Sequence, residues 1–183
     1  VRAAPYQFAR SGRQAGAMAA ALQRGVDVHR LTRAIDETGD YEDALDDDFD
    51  PANPSAETIN FVAAYRAFLD LSDYRPIAWE TIVYSPPPLE YAGKTDAVGW
   101  LGPQRVLLDR KTERSLHKAV WVQLGAYKQA WNLCHPTEPI DRTYALVLKA
   151  DMTFELRPNP IEGEALHYFV AAWWIHRWHH LAF

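Results

Sequence analysis

A chain of 183 residues with 48% hydrophobic content can bury one sizeable core, and a single domain is the expectation. It has no apolar run long enough to span a membrane and no secretory signal pattern, and its one cysteine, Cys134, excludes an internal disulfide and a four-cysteine iron–sulfur cluster, so a cytoplasmic setting is expected. The net charge of −5 runs against a nucleic-acid partner, yet nine of the 24 acids lie between Asp36 and Asp50 with no lysine or arginine among them, which leaves 15 acids against 19 bases elsewhere.

In chain order, the valine at position 1 suggests a processed or trimmed start. Residues from about Ser11 to Asp36 are alanine-rich and predict a helix with Met18, Leu22 and Ile35 as apolar anchors. His29 lies within it, four residues after Gly25. Thr38 to Ser55 combines acid clusters with Pro51 and Pro54 and reads as a loop that serves solvation or mimics nucleic acid at the site. Ser55 then caps a helix to about Leu71, whose Phe61, Ala64, Tyr65 and Phe68 form a core stripe. Ile77 to Tyr84 alternates as a strand and carries Glu80, and Pro86 to Pro88 end its pairing.

The stretch from Tyr91 to Trp131 carries the chemistry. Lys94 to Lys111 reads as a hairpin about Gly102 and Pro103. A turn centred between those two residues sets Asp96 opposite Asp109; with Pro103 at the first central position, which proline prefers, the pairing slides by about two residues. In both registers two carboxylates come close, and facing like charges call for a cation or a shared proton. Mg²⁺, with its oxygen ligands, suits such a pair. Lys111, two residues after Asp109, shares a strand face with it, where an ammonium can hold an attacking water or offset charge on a phosphate.

Glu113 to Cys134 predicts a helix stopped before Pro136, with Val120, Gln123, Leu124, Tyr127 and Trp131 on one face. Gln123 is the polar member of that stripe and needs a partner if buried. Arg114 and Lys118, one turn apart, are either phosphate contacts or solvated bases. Asp141 to Lys149 and Met152 to Arg157 predict two paired strands. From Glu162 a last helix bears Phe169, Trp173, Trp174 and Trp178, a stripe expected in the core, and His176, His179 and His180, whose spacing alone does not make a zinc site. Internal repeats, a phosphate-cradling glycine loop and a G-x-S-x-G elbow are lacking.

Gly93 to Asp96 (GKTD), Leu107 to Thr112 (LLDRKT) and Gln123 to Tyr127 (QLGAY), in that order, resemble the PD-(D/E)XK nuclease superfamily, in particular its RecB-like exonuclease branch. The likeness covers about Trp79 to Trp131 and extends loosely upstream to His29. It implies an α/β fold with a small mixed β-sheet flanked by helices, the restriction-endonuclease-like core. It also implies Mg²⁺ or Mn²⁺ held by Asp96, Asp109, the Arg110 backbone carbonyl and His29, with Glu80 nearby, Lys111 acting on the water, and Gln123 and Tyr127 positioning the substrate backbone. The expected activity is metal-dependent hydrolysis of linear DNA from an end, in recombination, repair or phage DNA metabolism, with a recombination or annealing protein as a further partner and no membrane. Two rival readings stay open. One is a non-catalytic module of the same fold that binds nucleic acid or protein, and the other is an unrelated acidic metal-binding or interaction protein in which D-x-K is accidental.

Overall fold

Alanine, the best helix former, dominates the first element of the computed structural model, which describes residues 6–40, 56–112 and 116–179. The chain divides into two compact units, Val1–Ile59 and Asn60–Phe183. In the first, helix α1 (Tyr6–Thr38) ends where Gly39, at φ +85°, donates its N–H to the Ile35 carbonyl at 2.9 Å, the left-handed glycine stop of helices. Val28, Leu31 and Ile35 are its buried face, and Thr32 fits among them because its hydroxyl donates to the Val28 carbonyl at 2.8 Å. Met18 and Leu22, expected as anchors beside Ile35, are exposed at 78% and 72%. They fall, with Val26, on a stripe rotated away from the buried one. Nearly all of the acidic segment, Ser55 included, lies outside the described residues.

Helix α2 (Ala56–Leu71) buries Phe61, Val62, Ala64, Tyr65 and Phe68, the expected stripe with one valine added. Five strands follow in a mixed sheet of order β1-β2-β3-β4-β5: β1 (Tyr74–Ser85), β2 (Tyr91–Leu101), β3 (Gln104–Lys111), β4 (Arg142–Leu148) and β5 (Phe154–Pro158). All neighbours run antiparallel except β3 and β4, whose parallel pairing needs the crossover that α3 (Lys118–Cys134) provides. The α/β class and the small mixed sheet agree with the sequence reading.

The sheet has a layer on each face. On one, Phe68 of α2 meets the rings of Tyr74 and Phe154 at 5.3 and 5.4 Å. On the other, Val83, Val98, Leu107 and Ala145 pack with Val120, Leu124, Ala130 and Trp131 of α3. Central strand β3 is therefore buried on both faces from Val106 to Arg110.

The hairpin takes the register with Gly102 and Pro103 as its two central residues, since Leu101 pairs with Gln104. Gly102 at φ +57° supplies the positive angle that a two-residue turn needs at its first central position, leaving to Pro103 a second position that its ring allows. The preference of proline for the first position yields to glycine's backbone freedom.

Two boundaries differ from expectation. Helix α3 starts at Lys118 and not at Glu113, because His117 acts as its N-cap, accepting at Nδ1 from the Ala119 N–H at 3.3 Å. The last helix, α4 (Ala165–His179), starts after Glu162, which instead takes an ion pair from Lys128 at 2.9 Å and a hydrogen bond from the Thr143 N–H at 3.2 Å. Its aromatic stripe is only half packed: Trp174 and Trp178 are 53% and 58% exposed, whereas Phe169 and Trp173 are half-buried and Phe169 meets the Tyr91 ring at 4.6 Å. Only the first turn of α4 is deeply packed, with Ala165 fully buried where it touches α3.

Contact at that crossing depends on Gly125, because a Cβ there would overlap the Ala165 side chain and backbone. Replacing glycine by alanine in a helix gains up to about 1 kcal/mol of propensity. Overpacking a tight contact costs about 1–3 kcal/mol. Gly125→Ala should therefore lower the urea midpoint despite the better helix former, and an unchanged or raised midpoint would show that the two helices part freely.

Candidate active site

Strands β2 and β3 pair from Leu101–Gln104 only as far as Ala97–Leu108. Beyond that point β2 stays with β1 down to Tyr91, and β3 stays with β4 up to Lys111, so the sheet forks. Asp96 and Asp109 are the next residues on each prong and fall opposite one another. Leu107, two residues back on β3, packs against α3, so alternation aims the Asp109 carboxylate toward the α3 side. The Asp96 carboxylate replaces the missing ladder bond, with Oδ2 accepting from the Arg110 N–H at 2.8 Å. Amide and carbonyl of an extended residue point the same way, so the Arg110 carbonyl also faces the fork. The Arg110 side chain turns to the opposite face, 2% exposed, with its guanidinium 4.8 Å from the Tyr65 ring centre.

Lys111 sits astride Asp109, its Nζ 3.0 Å from Oδ1 and 2.8 Å from Oδ2. The carboxylate is nearly buried and the lysine keeps 23% of its side chain exposed, so the pair is held in place yet open to the fork. Glu80 completes a row across three strands, since it lies between the pairs Trp79–Ala97 and Thr81–Thr95 and hence across from Asp96. Its φ of +50° is a left-handed conformation that costs a side-chain-bearing residue roughly 1–2 kcal/mol. Pairing on both sides fixes that conformation, and the Glu80 carboxylate forms an ion pair with Lys94.

Helix α3 contributes the other wall. Tyr127 lies so close over Gly93 that a Cβ there would overlap its ring, which explains why the GKTD stretch begins with glycine. Gln123 Nε2 donates to Tyr127 Oη at 2.7 Å. Gln123 is exposed rather than buried, so its bond organises the surface of α3 and does not satisfy a core amide. Tyr91 Oη donates to the Ala126 carbonyl at 2.9 Å and ties the far end of β2 to the same helix. Burial, opposed by a hydrogen bond with Ser85, holds the Tyr91 phenol above its ordinary pKa.

Asp109, Lys111, Gln123 and Tyr127 thus belong to the α3 side of the second unit, with Asp96 reaching the Arg110 amide between the prongs, whereas Lys94, which follows Gly93 and pairs in register with exposed Ile82, lies on the opposite sheet face with Glu80 as its ion-pair partner. His29 lies on α1 in the first unit, partly buried, its carbonyl accepting from the Thr32 hydroxyl at 3.2 Å. Lys118 is the exposed first residue of α3, and Arg114 lies outside the described residues. Sequence reasoning missed Lys94. K-T-D on β2 repeats the spacing of D-R-K on β3 in reverse, but Lys94 takes the sheet face opposite Gly93 and pairs with Glu80.

No protein-family model matches the chain, and no curated protein matches it. Among the described residues, no three His, Cys, Asp or Glu side chains converge as a ready metal-ligand group. The donors at the fork, two carboxylates and the Arg110 carbonyl, are oxygens only and open on one side, which fits a hard divalent cation that keeps waters.

Electrostatics makes the two aspartates unequal. Asp109→Asn relieves a cross-strand repulsion worth about 0.2–1 kcal/mol. It also strips a mostly buried lysine of its counter-ion, a loss of about 1–3 kcal/mol. Asp96→Asn keeps an oxygen able to accept from Arg110. In EDTA, therefore, Asp109→Asn should lower unfolding stability while Asp96→Asn changes it little or raises it. Equal urea midpoints for the two variants would contradict the Lys111–Asp109 geometry.

Proposed function

We propose that this chain is a divalent-metal-dependent nuclease of the PD-(D/E)XK kind, with the motif set of the RecB-like branch, which hydrolyses phosphodiester bonds of linear DNA from an end. The observation that carries the reading is the fork, where opposed aspartates on two parting strands stand beside a lysine held on one of them. Asp96, Asp109 and the Arg110 carbonyl would hold Mg²⁺ or Mn²⁺. Such an ion supplies neutralisation of phosphate charge and a bound water of lowered pKa.

The residues of the chain do the rest. Lys111 presents its ammonium at the fork and donates a hydrogen bond to the attacking water or to a phosphate oxygen as negative charge builds there. Water oxygen adds to phosphorus while the bond to the leaving sugar oxygen breaks. Gln123 donates to the Tyr127 oxygen, which leaves the phenol hydrogen directed away as a donor to the substrate backbone. Arg114 and Lys118 would meet phosphates further along the strand.

With Mg²⁺ or Mn²⁺ at low salt, the protein should degrade linear DNA to short products, leave covalently closed circular duplex intact and stop in EDTA. Lys111→Ala should retain metal and DNA binding while turnover falls about 100-fold or more. Equal attack on linear and circular DNA would replace end-dependent by internal cutting. Metal uptake without cleavage of any DNA or RNA would identify a non-catalytic module, and near-normal turnover of Lys111→Ala would remove that lysine from the chemistry.

A further inference from the structure

Helices α3 and α4 hold none of the 24 acids of the chain, although its net charge is −5. The acids just before α4 are both engaged, Glu162 by Lys128 at 2.9 Å and Glu164 by the Tyr168 hydroxyl at 3.2 Å. Lys118 on α3 and Arg177 on α4 are exposed. The helical layer on the side of Asp109 and Lys111 is therefore positive in a chain that is negative as a whole, which suits an anionic partner.

Aromatic rings lead from the site onto that layer. Tyr127 lies over Gly93, and Tyr91, two residues further out on β2, meets Phe169 of α4 with ring centres 4.6 Å apart. Trp173 follows one turn after Phe169 and carries the Arg177 guanidinium 4.9 Å from its ring centre. From Trp174 to His179 every residue of α4 is exposed, and Trp174 and Trp178, again one turn apart, present two indoles beside that cation. Flat rings next to a cation fit a single nucleic-acid strand, because every base has a face that stacks and every linkage has a phosphate. The exposed apolar part, Trp174, Ile175 and Trp178, spans little more than one turn, far less than the face an interfacial helix inserts into lipid.

Resting on the nuclease reading, we infer that α4 is a stacking arm for single-stranded DNA: Trp174 and Trp178 take the faces of neighbouring bases, Arg177 donates to a phosphate beside them, and the strand runs on past Phe169 and Tyr91 to the fork. The arm works without metal, since none of its groups belongs to the metal site. It holds any base sequence, because it reads ring faces and not base edges.

Binding of a fluorescent oligothymidylate to the full chain in EDTA tests the arm apart from any cleavage. Trp174→Leu combined with Trp178→Leu should weaken binding about 10-fold or more, and phenylalanine at both positions should restore most of it. Leucine keeps apolar bulk and loses the flat face, so equal losses with leucine and phenylalanine would overturn stacking. So would full affinity in the leucine pair, or no binding by the unaltered chain. A blunt duplex of the same length should be indifferent to the leucine pair, because its base faces are closed within the stack, and an equal loss on duplex would also overturn the inference. Both residues are more than half exposed, so the urea midpoint should stay where it is.

Two controls cover other occupants. Uptake by phosphatidylcholine–phosphatidylserine vesicles without oligothymidylate binding would assign the face to lipid, and a dimer without oligothymidylate binding would assign it to a second copy of the chain. On linear single-stranded DNA with Mn²⁺, the leucine pair should raise KM about 10-fold and leave kcat within about twofold. If the chain binds oligothymidylate through these indoles yet cuts nothing, the nuclease reading falls and the arm stands. If it cuts DNA while the leucine pair binds as tightly as the unaltered chain, only the arm falls.

Discussion

The parting of β2 from β3 after Ala97–Leu108 is the constraint on which the rest of the site depends. A continuous ladder would consume the Arg110 amide and carbonyl and turn the aspartates into an ordinary, repelling cross-strand pair. Here the Asp96 carboxylate takes the amide, and the strands separate with their polar groups aimed into the gap. The separation is tolerated because each prong keeps a partner on its other side, β1 for β2 and β4 for β3. A fork in the middle of a sheet exposes backbone groups without creating a free strand that could recruit another chain.

Burial keeps the prongs in place. β3 is the strand with both faces covered, and its D-x-K triplet uses both. Asp109 and Lys111 face α3, while Arg110 between them reaches back under α2 to Tyr65. A buried guanidinium over an aromatic ring cannot follow if β3 slides by one residue, since the shift would exchange the two faces and bring the arginine into the α3 layer. On the α3 side, Gly93 and Gly125 permit the close approaches of Tyr127 and Ala165. The wall of the site is therefore set by what lacks a side chain as much as by what has one.

Charge at the fork is balanced locally rather than across the chain. Of three acids on three strands, Glu80, Asp96 and Asp109, the last is met by Lys111 on the α3 side and the first by Lys94 on the opposite sheet face. The overall charge of −5 conceals this, because it is dominated by the acidic stretch between Asp36 and Asp50. Among the three acids, depth decides the strength of each grip: Asp109 is nearly buried beneath Lys111, whereas Glu80 and Lys94 meet in a more open place.

By itself the sequence determined the element types, the α/β class, the hairpin about Gly102 and Pro103, and the approach of Asp96, Asp109 and Lys111, because period-two alternation and turn chemistry are local and act over a few residues. It also marked Gln123 and Tyr127 as neighbours one helical turn apart. Only the tertiary structure decided which of two registers the hairpin takes, through the left-handed Gly102, and that the ladder stops at Ala97. It alone showed that Trp174 and Trp178 of the α4 stripe are exposed while Phe169 packs on Tyr91, since periodicity identifies a face but not what covers it. The pairing of Lys94 with Glu80, rather than with the aspartate two residues away, needed both strands at once: it depends on an irregular backbone at residue 80 that no local residue preference foretells.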